Sequence, residues 1–187
     1  MPLDSRLEIQ LEEFKDILKG NVVILGLGNP LKGGEGAGSD LARRLKDKLK
    51  FKVFDAGTAP ENFLAKIISL SPNTLLVVET NFTPLEMKRE KANLRLPKGN
   101  LSLPEFTQGS LLGLRILLVQ DSSICGLSRN SLSLKMFLDI LKQNLPAITI
   151  YILSIELKES QIAGSVSEEL RQALNSLESF FIVNYSC

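Results

Sequence analysis

Two stretches of this chain, Val22-Val23-Ile24-Leu25 and Leu75-Leu76-Val77-Val78, place four apolar side chains in a row without a polar residue between them. Successive side chains of a strand point to opposite faces, so a strand of this kind needs apolar cover on both sides, which parallel sheets flanked by helices provide. Further strand-like runs lie at Phe51 to Phe54 and Ile148 to Ile155, and the first three runs read as central parallel strands. Helical spacing fills the gaps. Ala37, Leu41, Leu45 and Leu49 recur every four residues, and Phe63, Ile67 and Leu70 stand four and three apart, so the chain alternates strand and helix. That alternation predicts the α/β class.

Before the first strand, Leu7, Leu11, Phe14 and Leu18 mark one face of a helix ending at Gly20, which makes residues 1–20 a helical extension. Leu134, Phe137, Leu138 and Leu141 predict a later helix. Ser165 with Glu168 reads as a capping box ahead of a last helix bearing Leu170, Ala173, Leu174 and Leu177. Between Asn81 and Leu127 the rhythm breaks at Pro84, Pro97 and Pro104, although Leu111 to Val119 suits a further strand. A length of 187 residues with no repeat or linker fits a single domain over 1–187.

Composition narrows the chemistry. The chain contains no histidine, so no imidazole serves as ligand or proton shuttle. A formal net charge of +1 gives little attraction for nucleic acid or an anionic membrane. The basic groups Arg43-Arg44-Lys46-Lys48-Lys50 and Lys88-Arg89-Lys91 lack interleaved aromatics and read as solvated helix faces. Cys125 and Cys187 stand far apart with no CxxC spacing, which argues against a zinc knuckle or disulfide framework and suits a cytoplasmic setting. The amino terminus has no apolar signal core, and Leu111 to Val119 is too short to span a bilayer, so no membrane insertion is expected.

The first strand runs into Gly26-Leu27-Gly28-Asn29-Pro30-Leu31 and then Gly33-Gly34-Glu35-Gly36-Ala37-Gly38, a glycine-rich loop holding one carboxylate. Such glycines let backbone amides come close to a ligand beside Glu35. A dinucleotide fingerprint fails because Leu31 stands where its third glycine belongs, and a phosphate loop fails because Glu35 would repel the phosphate. Ligands of open parallel sheets gather at the carboxyl ends of strands, where Glu35, Asp55 and Glu79 fall. If Glu35 and Glu79 share a crevice, they can bind a divalent cation, or one can raise the other's pKa for acid–base work. Asp55 has a second reading, since Asp before Ala56-Gly57-Thr58 also holds turns. Ser122, Ser123 and Ser128 lack a base for nucleophilic catalysis, and Cys125 suits a small apolar filler.

The ordered motifs Gly26-Leu27-Gly28-Asn29-Pro30-Leu31, Glu35-Gly36-Ala37-Gly38, Asp55-Ala56-Gly57-Thr58-Ala59-Pro60-Glu61-Asn62 and Leu75-Leu76-Val77-Val78-Glu79 resemble those of the [NiFe]-hydrogenase maturation endopeptidases. The Lys19-Gly20-Asn21 leader is most similar to members serving hydrogen-evolving hydrogenases. Ser133 to Leu138 and Gly164 to Leu170 resemble the family's later segments. The resemblance implies a three-layer α/β/α fold with a twisted, mostly parallel central sheet. It also implies an endopeptidase that removes the carboxy-terminal extension of the hydrogenase large-subunit precursor once nickel is in place. Nickel is then carried by the substrate, and no cofactor is tightly bound. By position, Glu35 and Glu79 are the acidic catalytic residues that contact the metal, with Glu79 standing where aspartate is usual. The third metal position falls on Asn130, where the family has histidine, and Gly33-Gly34 stands where a further acid is common. Gly28, Asn29, Gly36, Asp55 and Asn130 would face the substrate.

An amide oxygen serves nickel less well than imidazole, so the departure at Asn130 leaves two function classes open. One is the endopeptidase. The other is a non-catalytic relative that binds the precursor as a checkpoint or chaperone-like factor. A binder of a small metabolite through the loop amides is a third, weaker option.

Overall fold

The computed structural model describes residues 15, 17–82, 112–118, 131–157 and 166–187. Five strands form one sheet: β1 (Val22–Leu27), β2 (Lys52–Gly57), β3 (Thr74–Phe82), β4 (Leu112–Leu118) and β5 (Thr149–Leu157), ordered β2-β1-β3-β5-β4. The pairs β1 with β2, β1 with β3 and β3 with β5 are parallel, whereas β4 lies antiparallel to β5 at one edge. The helices are α1 (Ala37–Leu45), α2 (Leu64–Leu70), α3 (Ser131–Asn144) and α4 (Glu168–Tyr185), with short 3-10 turns at Gly33–Gly36 and Pro60–Phe63. Among the described residues, no helix is long and apolar enough to cross a membrane.

The sheet is sandwiched, as the apolar runs require. Val22, Ile24, Leu76, Val78, Leu153 and Ile155 pack on Leu41 and Leu45 of α1 and on Leu170, Leu174, Leu177 and Phe181 of α4. The alternate residues Val23, Leu25, Leu75, Val77, Ile150 and Ile152 pack on Ile67 of α2 and on Leu134, Phe137, Leu138 and Leu141 of α3. This is the three-layer α/β/α arrangement with a mostly parallel sheet.

Three sequence expectations need correction. The Phe51 to Phe54 run is not central: β2 forms the sheet's other edge, with Lys52 exposed beside buried Val53. The helical spacing through Leu49 overruns α1, which ends at Leu45; Leu49 instead bridges to Ser186. The last helix is capped by Ser167, whose Oγ accepts the Leu170 N–H at 3.2 Å, so Glu168 does not stand at the third position of a capping box; Ser165 lies outside the described residues. Glu168 is thereby the first helical residue, and its side chain pairs forward with Arg171. The leader helix lies almost wholly outside the described residues, as do Cys125 and Asn130.

Candidate functional site

The strand order fixes where a ligand can enter. From β1 the chain passes through α1 to β2 on one side. From β2 it returns through α2, on the opposite face, to β3 on the other side of β1. The loops leaving β1 and β3 therefore diverge at their carboxyl ends, and a crevice opens at such a reversal point in open α/β sheets. Glu35 lies in the loop after β1 and Glu79 near the end of β3, so the two acids flank this point.

Local geometry brings their backbones together. The pairing of β1 with β3 ends at Gly26 with Val78, while β3 continues beside β5 through Phe82. The 3-10 turn Gly33–Gly36 packs against this overhang: Thr80 Oγ1 donates to the Glu35 carbonyl at 3.1 Å. Glu79 is 3 % exposed and belongs to the face covered by α2 and α3, two residues on from Val77. The Glu35 side chain is 15 % exposed and faces Lys32 Nζ, 3.7 Å from its Oε2.

The loop's glycines serve close packing. A Cβ on Gly26 would stand 2.3 Å from the Gly38 carbonyl oxygen, and one on Gly38 would stand 2.3 Å from that of Val78. The start of α1 thus sits directly on the strands. Gly28 has φ +141°, the side where a Cβ would stand is filled by the Glu35 carbonyl, and its N–H donates to Gly57 O at 2.8 Å. At Gly36 the same side meets Pro30 Cα at 2.7 Å. Asn29 closes the turn: its Oδ1 accepts from Leu31 N and its carbonyl from Lys32 N, both at 3.0 Å. The loop is braced by its own backbone, which fixes Glu35 relative to β3.

Asp55 is on the other face. Its Oδ1 accepts from Ser39 Oγ at 2.6 Å and from Gly57 N at 3.1 Å, and Arg43 Nε lies 3.6 Å from Oδ2. It anchors α1 to the end of β2 and holds the turn, the second of its two sequence readings. Asn130 lies outside the described residues. Helix α3, which begins at Ser131, does run along the Glu79 face. Its carboxyl end turns directly into β5 at the amino edge, with Ile148 N donating to Leu145 O and Thr149 N to Asn73 O. A 14-residue helix spans roughly 21 Å, so Ser131 stands toward the carboxyl edge where Glu79 is.

Sequence reasoning missed Ser154. It is 1 % exposed, level with Glu79 across the β3–β5 ladder, and Arg115 of β4 pairs in register with it from the far side. The signal was a serine following the apolar alternate positions Ile148, Ile150 and Ile152. Among the described residues, no group of three or more His, Cys, Asp or Glu side chains can hold a metal ion.

No protein-family model matches the sequence, nor does any curated protein. Solved structures do match. A [NiFe] hydrogenase maturation protease HycI from Thermococcus kodakarensis KOD1 is similar over 92 % of this chain and 97 % of its own, with TM-score 0.66 at 18 % identity. This chain has the hydrogenase maturation protease fold. The endopeptidase HycI from Escherichia coli shares that fold over 88 % of this chain and 90 % of its own, with TM-score 0.56 at 21 % identity. A [NiFe] hydrogenase maturation protease HybD from Thermococcus kodakarensis gives TM-score 0.58 at 17 % identity, over 86 % and 95 %. The maturation protease fold therefore spans most of the chain.

Proposed function

We propose that this protein is a [NiFe]-hydrogenase maturation endopeptidase, which removes the carboxy-terminal extension of the large-subunit precursor after nickel insertion. The observation that carries the reading is a pair of acids flanking the reversal point of a maturation protease fold, with the Glu35 backbone bonded to Thr80 beside Glu79. Carboxylate oxygens suit a divalent cation, and here the cation arrives as cargo of the substrate. Glu35 and Glu79 contact that nickel, and Asn130 offers its amide oxygen where the resembled family has histidine. Gly28, Asn29, Gly36 and Asp55 shape the rim against the substrate. The metal polarises the scissile carbonyl or its attacking water, and the carboxylates fix its position. The setting is cytoplasmic, consistent with two widely spaced cysteines.

Incubation of the purified protein with a nickel-loaded, extended large subunit tests this. The expected result is a shortened subunit with nickel and full-length substrate without it. An uncut nickel-loaded substrate, under conditions where a histidine-containing relative cuts, overturns the activity. A second reading, a non-catalytic checkpoint or chaperone-like binder of the same precursor, is favoured by the absence of any histidine from the sequence. Capture of the precursor without shortening, with cleavage gained in Asn130→His, would establish it.

A further inference from the structure

We propose that Ser154 is a positioning residue for Glu79: its hydroxyl, not yet bonded in this structure, is the donor that the Glu79 carboxylate takes up by a side-chain rotation across the β3–β5 ladder, which holds that carboxylate toward the incoming cation. The two residues are paired in register on adjacent parallel strands, about 4.8 Å apart in the pairing direction. Register partners point to the same face, and both belong to the face carrying Val77 and Ile152. Ser154 is 1 % exposed, and its Oγ has no hydrogen-bond partner in the structure. A buried hydroxyl without a partner is costly, and such exceptions call for a reason.

The alternatives to a positioning role are weak on the same face of the same strand. Ile150 and Ile152 precede Ser154 there and are fully apolar, so packing alone would be served by another small apolar residue. The hydroxyl appears only at the level of Glu79. A serine O–H rotates freely about its C–O bond, and an ionised carboxylate offers about four acceptor sites. Glu79 can therefore take the Ser154 hydrogen bond together with its other contacts and a cation. Partners behind a metal-binding carboxylate are commonly worth 10- to 100-fold in affinity or activity.

The cation in this inference rests on the endopeptidase reading, but the Ser154–Glu79 contact does not, and the experiment separates them. Urea unfolding is compared for the unaltered chain, Ser154→Ala, Glu79→Met and the double variant. With Glu79 present, S154A should lower the unfolding midpoint. In the E79M background the hydroxyl has lost its acceptor, so S154A should raise the midpoint. Equal shifts of the same sign in both backgrounds overturn the contact. If E79M does not fold, Glu79→Gln completes the cycle, and the S154A effect should shrink against the weaker amide acceptor; an unchanged effect overturns the contact. In the cleavage assay, S154A should lose about 10- to 100-fold, and Ser154→Thr, which keeps the hydroxyl, should recover most of it. Cleavage unaffected by S154A overturns the positioning role. If the unaltered chain does not cleave, the endopeptidase reading falls, and the unfolding cycle still decides the contact.

Discussion

Asp55 and Glu79 occupy equivalent places, each near the carboxyl end of a strand beside β1, yet their surroundings differ in kind. Asp55 spends its acceptor sites on its own neighbourhood: a hydroxyl from α1, a backbone N–H two residues ahead and a guanidinium. Its side chain keeps 29 % exposure, so water serves the rest. Glu79 is 3 % exposed on the opposite face, one residue from the Thr80 that grips the Glu35 loop. A carboxylate at a strand end is therefore not a site by position alone. What separates the two is the side of the sheet and the depth of burial. By that measure Asp55 is an anchor of α1, and Glu79 is a buried acid next to the residue that grips the Glu35 loop.

The sharpest way to break this distinction is to neutralise each acid in turn. Glu79→Gln and Glu35→Gln should each reduce cleavage of the nickel-loaded precursor by more than about 100-fold, since losing a ligand exceeds the loss of an outer partner. Asp55→Asn should do the reverse. It should cost about 1–2 kcal/mol of stability, the scale of hydrogen bonds to a charged group discounted for solvent screening, while cleavage stays within about tenfold. Matched timed-cleavage and unfolding series give both numbers. If D55N and E79Q lose cleavage equally, the two acids do the same work and the distinction fails.

A smaller effect sharpens the anchor half of the comparison. Ser39 is fully buried and its hydroxyl donates to Asp55 at 2.6 Å. Ser39→Ala should cost roughly 1 kcal/mol in urea unfolding. In the D55N background the cost should shrink, because the two residues share one hydrogen bond. Full additivity would mean that Ser39 stabilises α1 independently of Asp55.

The elements that sequence patterning located best were those whose burial forces the pattern. Val22 to Leu25 and Leu75 to Val78 read as strands buried on both faces because every alternate position is apolar, and the structure seats them at the centre. Strand order is a different matter. In Phe51 to Phe54 only Lys52 hints at an edge, since strand order depends on which crossovers fold to which side. Glu35 and Glu79 were legible as lone acids at strand ends, whereas Ser154 was not, because its significance comes from register with a residue 75 positions earlier. The glycines carried an ambiguous signal: close approach was the right inference, and the approaching groups are the α1 backbone at Gly26 and the β1 and β3 carbonyls at Gly38. At the last helix, Ser165 and Ser167 both precede Glu168 at plausible capping distance, and only the Leu170 N–H direction selects Ser167.

Glu168 extends the comparison to a third carboxylate, one on the exposed surface, and carries the smallest expected effect. At the first position of α4 it receives two bonds from Arg171, at 2.8 and 2.6 Å, and one from Gln172 at 3.1 Å. These hold its pKa below the ordinary 4.5, the Arg171 hydrogen bond contributing most. A carboxyl with a depressed folded-state pKa lends stability above its unfolded value. That contribution is fully present above about pH 4.5 and fades as pH falls through the lower folded value. Arg171→Ala should move the Glu168 titration, followed by carboxyl NMR, back up toward 4.5 while barely changing stability at neutral pH, as surface pairs do. An unmoved midpoint would show that the helix start, rather than Arg171, depresses this acid. The ranking of the three carboxylates would then follow backbone position instead of the side chains each acid meets.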